Sequence, residues 1–231
     1  MSDVDRLQPL VRPRLYEQVA RQILTWVTEN GLKVGDRLPP ERELAARLGV
    51  SRATVSQALV AMEVVGVVAV RHGDGAILVD SSGSSKLVQA LRKHAQRLPE
   101  IIEAREALET KLASLAAVRR TDEDLERIEE ALVVMERDIE AGGRGVEGDE
   151  LFHAAVTSAG HSTLLERLMG EISELIKGTR IESLSEPGRP RDSLGGHRKI
   201  ADAIRKGEVE AAATAMHDHV AMVSDVALLR N

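Results

Sequence analysis

The sequence predicts a mainly α-helical protein in two parts that differ in texture. Only three of its 231 residues are aromatic, Tyr16, Trp26 and Phe152, although 43% are hydrophobic. Cores built from aliphatic side chains favour helices over a β-sandwich. Short elements broken by glycine and proline come first and long amphipathic stretches follow, with the small polar segment 80–85 between them. We interpret this segment as a flexible linker.

The linker divides the chain into an N-terminal domain over 1–80, a linker with a first helix over 81–98, and an all-α antiparallel helical bundle over 99–231. Apolar residues at helical spacing predict six to seven helices after residue 80. One longer loop is expected at 183–193, where prolines and a glycine cluster. The expected helices cover 86–97, 100–119, 122–141, 147–160, 162–183, 191–206 and 208–229.

Three short helical patterns make up most of the N-terminal part. The first covers 15–29, with apolar residues at three- to four-residue spacing. The second covers 41–48 and ends at Gly49, and the third covers 52–65 after Ser51, a residue type that caps helices. Two short helices joined by one tight turn are typical of a helix-turn-helix.

A strand pattern follows these helices. The stretch 67–79 is rich in valine, alternates in polarity and carries Gly73-Asp74-Gly75 in its middle, which predicts a β-hairpin. A helix pair followed by such a hairpin predicts a winged helix-turn-helix, which places the start of its second helix in the major groove of DNA. A purely structural helix pair beside a hairpin has the same pattern, so the pattern alone leaves both interpretations open.

The charges are distributed unevenly between the two parts. The net charge is −6, yet residues 1–80 hold 10 basic and 10 acidic side chains, and residues 81–231 hold 21 and 27. A neutral domain with clustered arginines can still bind phosphate, whereas the acidic part is unsuited to nucleic acid. The DNA-binding role therefore falls to the N-terminal domain.

Several protein classes are disfavoured by composition. The chain has no cysteine, which excludes disulfides, thiolate metal sites and a cysteine nucleophile. The N-terminus lacks the basic start and apolar run of a signal peptide, and no stretch resembles a membrane span. We therefore expect a cytoplasmic protein without membrane partners.

The run from Arg37 to Leu59, RLPPERELAARLGVSRATVSQAL, resembles the signature of the GntR family of bacterial transcription regulators. The segment 71–76 resembles the wing of that family, and the whole match covers roughly 10–79. The resemblance implies a regulator, by default a repressor, that binds a pseudo-palindromic operator as a homodimer. At the matching positions, the expected DNA-binding residues are Arg42, Ser51, Arg52, Thr54, Arg71, His72 and Gly73.

Two features refine this expectation. Arg52 is the first candidate for a base contact, because arginine can bond guanine O6 and N7 together. Ser56 and Gln57 stand where the family usually has arginine and glutamate, which predicts an operator that differs from the common one.

Four residues of the C-terminal part are candidate metal ligands. Asp149 and His153 are four residues apart and share a helix face, whereas His197 and His219 lie on later expected helices with apolar neighbours at helical spacing. Helical bundles hold metal ions with such inward side chains. Because the chain has 7 histidines, a chance arrangement of surface residues stays open at this point.

The pattern Arg105…Glu109, Asp149-Glu150-Leu151-Phe152-His153, His197 and His219 resembles the FCD domain of the FadR subfamily, over roughly 95–225. The resemblance implies that the aspartate and three histidines bind a divalent ion. Imidazoles suit zinc or nickel, and the carboxylate also allows manganese or iron. It further implies a hydroxy, sugar or dicarboxylic acid as effector, bound by the metal and by Arg105 and Glu109. Spacing alone would equally pair Arg105 with Glu109.

Two alternative functions use the same residues. A metal with open coordination positions could activate water, which would make the chain a metalloenzyme fused to a DNA-binding module. No nucleophile motif accompanies the candidate ligands, so we expect a regulator and no enzyme. A purely structural metal in a dimerisation domain is the second alternative.

Overall fold

The structure, a computed structural model, describes residues 15–71, 75–80 and 84–224, without the side chains of 84–96 and 174. It is mainly α-helical, as predicted. The elements are α1 Leu15–Glu29, α2 Glu41–Leu48, α3 Arg52–Val64, β1 Val68–Arg71, β2 Gly75–Leu78, α4 Ser84–Arg119, α5 Asp122–Glu140, α6 Val146–Ala159, α7 Thr163–Leu184, α8 Arg189–Lys206 and α9 Val209–Val223.

The N-terminal elements form a winged helix-turn-helix. Gly49 ends α2 in the left-handed conformation, with φ of 65°, and its N–H donates to the Ala45 carbonyl. Ser51 caps α3, because its hydroxyl accepts a hydrogen bond from the Thr54 N–H at 3.1 Å. β1 and β2 pair antiparallel, with Arg71 opposite Gly75. His72 and Gly73, two of the expected DNA-binding residues, lie outside the described residues.

One aliphatic core unites these elements. Ile23 and Leu24 of α1 pack with Val55 and Met62 of α3, and the hairpin adds buried valine, alanine and leucine side chains. Burying this face turns the other side of the start of α3 outward, where Arg52 is exposed. The start of α3 is therefore exposed to solvent.

The C-terminal helices form a second core around α4. This helix packs against α6, α7, α8 and α9, while α5 packs against α6 and α8. The contact of α5 with α6 is especially close, since a Cβ atom at Gly148 would collide with the backbone of Met135. This close approach fixes the first turn of α6.

The expected break between helices 86–97 and 100–119 is wrong, because α4 is continuous from Ser84 to Arg119 with Pro99 inside it. The proline lacks an N–H and removes one helical hydrogen bond. Its neighbours compensate, since Leu98 is buried in the N-terminal core and Ile101 in a core of the bundle. The linker prediction is also partly wrong, because 84 and 85 belong to α4, while 81–83 lie outside the described residues.

The expected loop at 183–193 is wrong as well. Only residues 185–188 separate α7 from α8. Gly188 has φ of 82°, a conformation that glycine adopts easily, and it lets the chain reverse at once. Pro190 then occupies the first turn of α8, where an N–H has no helical partner. The last helix was expected to reach 229, but residues 225–231 lie outside the described residues.

No helix among the described residues is long and apolar enough to cross a membrane.

The start of α5 gives a stability prediction. Asp124 closes a capping box, in which its carboxylate accepts from the Thr121 N–H at 2.9 Å and its own N–H donates to the Thr121 hydroxyl. The carboxylate also lies 2.7 Å from His161 Nε2 and pairs with Arg127. Burial raises the pKa of Asp124, but the hydrogen bonds from Thr121, His161 and Arg127 outweigh it and lower the pKa from 3.8 to about 2.

We expect Asp124→Asn to lower the free energy of unfolding by about 1 kcal/mol at pH 7, the usual value of a helix cap. A depressed carboxyl pKa stabilises the fold fully above 3.8, and this stability is lost as the pH falls towards 2. Urea unfolding at pH 7 and pH 3 measures both effects. Asp122→Asn, in the same first turn and exposed, is the control; an equal loss in both variants would contradict the capping role.

Candidate functional site

The four candidate ligands meet inside the bundle. Asp149 and His153 come from α6, His197 from α8 and His219 from α9, and all four are buried. One ligand atom of each lies within 4.8 Å of the others. His197 Nε2 is 3.2 Å from Nε2 of both other imidazoles and 3.5 Å from Asp149 Oδ1. The structure therefore brings together residues that are up to 70 positions apart in the sequence.

These imidazoles cannot satisfy one another. His197 Nε2 carries at most one proton, so it cannot donate to His153 and His219 at the same time. A tetrahedral ion with bonds of about 2.0–2.1 Å would separate neighbouring ligand atoms by about 3.3–3.4 Å, close to the three distances from His197 Nε2. The arrangement fits a divalent cation at the centre of the four side chains.

Glu109 of α4 orients the first histidine. Its Oε2 lies 3.0 Å from His153 Nδ1, so a proton on Nδ1 leaves the lone pair of Nε2 directed at the centre. Arg105 holds Glu109 through a contact of Nε with Oε1 at 3.1 Å. Burial raises the pKa of Glu109, yet Arg105, His153 and Arg180 outweigh it and keep the pKa well below its usual value. Glu109 is therefore a carboxylate.

The histidines are held in the form that binds metals. Burial, followed by the positive charge of Arg180, lowers the pKa of His153. Burial and the neighbouring imidazoles lower the pKa of His197 and His219 well below the usual value. Neutral imidazoles offer a free lone pair, which is what a divalent ion requires.

His217 provides a contrast on the same helix as His219. Its Nδ1 lies 3.2 Å from Glu106 Oε1 and half of its side chain is exposed. Two residues along a helix point in different directions, so only one of the two histidines can face the centre. The structure places His219, and not His217, beside the other three candidate ligands.

Arg105 and Glu109 form a buried ion pair with each other, which is the alternative to effector binding that their spacing in the sequence left open. Arg105 is only 1% exposed, and its remaining bond goes to the Thr179 hydroxyl at 3.1 Å. The basic group beside the candidate ligands is instead Arg180, with Nε 3.1 Å from Asp149 Oδ2 and Nη2 3.3 Å from Glu109 Oε1. Arg180 was not among the site residues expected from the sequence.

A signal for Arg180 was present in the sequence. It lies four residues after Ile176 and four before Leu184, both of which are buried on one face of α7. An arginine within an apolar helix face needs a buried acidic partner, which marks it as a candidate site residue.

A cavity of about 310 Å³ between α6 and α7 is lined in part by the candidate ligand His153. We call it the α6–α7 cavity. Arg180 lines the same cavity, and Lys177 adds a second cation, whose Nζ lies 3.4 Å from Glu150 Oε1. The rest of its wall combines apolar, hydroxyl and acidic side chains and one glycine, namely Ala154, Met169 and Ile176, Thr157 and Ser173, Glu150 and Glu166, and Gly170.

The candidate DNA-binding residues lie on the winged helix-turn-helix. Arg42, Ser51 and Arg52 are exposed, and Thr54 is half-buried with its hydroxyl 2.8 Å from that of Ser51. The structure brings Arg52 and Arg71 to the wall of one cleft. Their contacts with DNA remain predictions.

Comparison with known proteins identifies both domains. Residues 15–78 match the model of bacterial regulatory proteins of the gntR family, and residues 100–222 match the FCD domain. The chain is 32% identical to the Uxu operon transcriptional regulator of Escherichia coli, over 90% of this chain and 84% of the relative. It is 36% identical to the HTH-type transcriptional regulator LutR of Bacillus subtilis, over 86% of this chain and 94% of the relative.

A solved structure of Streptococcus agalactiae GntR shares 27% identity, with a TM-score of 0.48, and covers 90% of this chain and 98% of its own. The two relatives and both domain matches are those of transcription regulators, which confirms the expectation of a regulator and no enzyme. The chain belongs to the gntR family of bacterial regulatory proteins, as a DNA-binding transcription regulator whose C-terminal half is an FCD domain.

Proposed function

We propose that the protein is a repressor that binds a pseudo-palindromic operator as a homodimer and is released by a small organic acid. The acid binds at a divalent ion held by Asp149, His153, His197 and His219. The observation that carries this proposal is the α6–α7 cavity, which is lined by the candidate ligand His153, by Arg180 and by Lys177, whose Nζ lies 3.4 Å from Glu150 Oε1.

The chemistry of the cavity selects the class of effector. A carboxylate that ligates the ion can also accept hydrogen bonds from the Arg180 guanidinium. Thr157 and Ser173 provide hydroxyls for a hydroxy or sugar acid, while Met169 and Ile176 suit a short carbon chain. A cavity of about 310 Å³ is at the small end of ligand pockets, which span roughly 300–1,000 Å³. We therefore expect a hydroxy, sugar or dicarboxylic acid.

Arg105 and Glu109 belong to the proposed effector site through Arg180, because Arg180 contacts Glu109 and Arg105 contacts Glu109 in turn. Glu109 Oε2 lies 3.0 Å from His153 Nδ1, Oε1 accepts a hydrogen bond from Arg180, and Arg105 fixes Glu109 in place. The two residues thus orient the groups that meet the acid. Zinc or nickel suits three imidazoles and a carboxylate best, and manganese or iron is compatible with the same set.

On the DNA side, Arg52 contacts a base, while Arg42, Ser51 and Thr54 contact phosphates and the wing residues Arg71, His72 and Gly73 follow the backbone. One winged helix-turn-helix reads one half-site, so two copies are needed for a pseudo-palindrome. A homodimer satisfies that requirement. An effector acts by binding one relative pose of the domains better than the other.

The experiment is a thermal-shift screen of organic acids on metal-loaded and chelator-stripped protein, followed by gel shifts with the operator. An acid at about 100 times its Kd should stabilise the metal-loaded fold by about 2.7 kcal/mol, which raises Tm by roughly 5–10 °C. We expect the same acid to release the operator and to have no effect on stripped protein.

Arg180→Gln should abolish most of this stabilisation, because the effector loses its arginine partner. Arg167→Gln, which removes an exposed cation of the same helix, is the matched control. Stabilisation that persists without metal, or that Arg180→Gln leaves unchanged, would overturn the proposed site. Operator binding that requires the metal and that no acid alters would favour a purely structural metal.

A further inference from the structure

Arg144 connects the helical domain to the winged helix-turn-helix. It lies in the turn between α5 and α6, and its Nη2 donates to Glu63 Oε1 of α3 at 2.9 Å. The same carboxylate oxygen accepts from the Val70 N–H of β1 at 2.9 Å, and Arg144 Nη1 donates to the Ser185 hydroxyl at 2.7 Å. Arg144 is 23% exposed and Glu63 11%. One guanidinium therefore ties α3 and β1 to the end of α7.

This contact lies at the ends of the two helices that form the α6–α7 cavity. The candidate metal ligand Asp149 is in the first turn of α6, and its N–H donates to the carbonyl of Gly145, the neighbour of Arg144. Ser185 directly follows α7, five residues after Arg180. A small displacement of α6 or α7 is thus transmitted to the partners of Arg144 without any intervening loop.

The DNA-reading start of α3 faces the same side as this contact. Arg52 and Glu63 are eleven residues apart, which is close to three helical turns and places both on one face of α3. A cleft of about 840 Å³ lies between the domains on this side. Arg52 and Arg71 form its wall on the winged helix-turn-helix, and Asp138 and Glu147 form the opposite wall.

We call this space the interdomain cleft. Its volume is that of a pocket for a small molecule, whereas a recognition helix must enter a major groove about 12 Å wide with the rest of the duplex around it. With the helical domain across the cleft, Arg52 shares this space with the acidic Asp138 and Glu147, although its side chain is 70% exposed. A duplex placed on this face of α3 would bring its phosphates towards these carboxylates, which repel them.

We propose that Arg144 is an interdomain latch: its bond to Glu63 holds the winged helix-turn-helix in a closed pose that excludes DNA, and operator binding requires this bond to open. The latch rests on the proposed function in two respects: α3 binds DNA, and an acid binds between α6 and α7. Only open molecules bind the operator, so the apparent affinity equals the affinity of the open form multiplied by the fraction of molecules that are open.

The test measures operator affinity in the absence of any effector. Arg144→Ala should bind the operator about 5- to 30-fold more tightly, the factor that corresponds to about 1–2 kcal/mol. Arg137→Ala, which removes an exposed arginine from the last turn of α5, is the matched control and should not bind more tightly. Removal of a positive charge alone weakens DNA binding, so a gain in affinity cannot arise from charge.

Glu63→Gln opens the same contact from the other domain and decides the question if Arg144→Ala does not fold. Because loss of a negative charge by itself favours DNA binding, its gain should exceed that of Glu29→Gln, an exposed acidic position of α1. The charge exchange Arg144→Glu with Glu63→Arg should return the affinity towards that of the wild type. Affinity of the single variants equal to or below that of the control would overturn the latch.

A direct readout uses the absence of cysteine from the chain. Spin labels at Gln22→Cys on α1 and Glu130→Cys on α5, both exposed positions, report the distance between the domains. We expect Arg144→Ala to broaden and lengthen the distance distribution, and an unchanged distribution would overturn the closed pose. Failure of the metal or acid to bind would affect the proposed function and leave these measurements interpretable.

Discussion

Replacing His219 with alanine is expected to remove the divalent ion from the protein, whereas replacing His217 leaves the ion in place. The two histidines are two residues apart on α9, yet only His219 Nε2 faces the other ligands, at 3.2 Å from His197 Nε2. His217 faces Glu106 at the surface. The pair therefore separates metal ligation from the mere presence of a histidine on this helix.

The expected effect on affinity is large. Changing a residue that only supports a metal ligand weakens binding by about 10- to 100-fold, so loss of a ligand itself should exceed that range. His219→Ala should purify with no bound ion and show no rise in Tm on metal addition, because binding to the native state alone causes such a rise. Elemental analysis and competition with a chromophoric chelator measure the two quantities.

Two outcomes would contradict this prediction. Retention of the ion by His219→Ala would mean that the four side chains do not form the metal site. Loss of the ion from both variants would point to a general disturbance of α9. In either case, circular dichroism of the stripped proteins checks that the bundle is folded.

Local chemistry made the N-terminal domain predictable. Gly49 ends one helix because it accepts the left-handed conformation, and Ser51 starts the next because its hydroxyl binds a free N–H. These effects act within a few residues and can be read from the sequence. The helix break expected near Pro99 is wrong because non-local packing decides the conformation there. The tendency of proline to end a helix is outweighed by the burial of Leu98 and Ile101 in two separate cores.

The candidate site was predictable only in part. Spacing places Asp149 and His153 on one helix face, but the approach of His197 and His219 depends on the packing of three helices. Glu109 and His153 meet across 44 positions of the sequence, as α4 and α6 pack together. The contact of Arg144 with Glu63 spans 81 positions and joins two domains. Neither contact leaves a pattern in the residues around it.

Replacing Arg52 with alanine is expected to weaken operator binding by about 10- to 100-fold while the protein stays folded. A bidentate contact of arginine with guanine contributes about 1–3 kcal/mol of discrimination, and alanine cannot replace it. The side chain is 70% exposed, and its nearest acidic group, Glu41, is 3.9 Å away. A surface substitution of this kind changes stability by no more than about 0.5 kcal/mol.

Gel shifts with operator and with scrambled DNA at two salt concentrations distinguish a base contact from a phosphate contact. Arg52→Ala should lose affinity for the operator and little for scrambled DNA. Arg42→Ala, an exposed position on α2, should weaken both DNAs alike and lower the salt dependence. Arg21→Ala, an exposed position on α1, removes the same charge away from α3 and should leave the specificity ratio unchanged.

Arg52→Ala that binds the operator like the wild type would move base recognition further along α3. Gln57 is the next candidate, because it is exposed on the same helix and glutamine can bond adenine through N6 and N7. That result would also explain the departure at Ser56 and Gln57, where the family usually has arginine and glutamate. A glutamine that reads adenine requires a different operator base from the guanine that an arginine reads. A Gln57→Ala gel shift against operators changed at single base pairs then decides which residue of α3 reads the sequence.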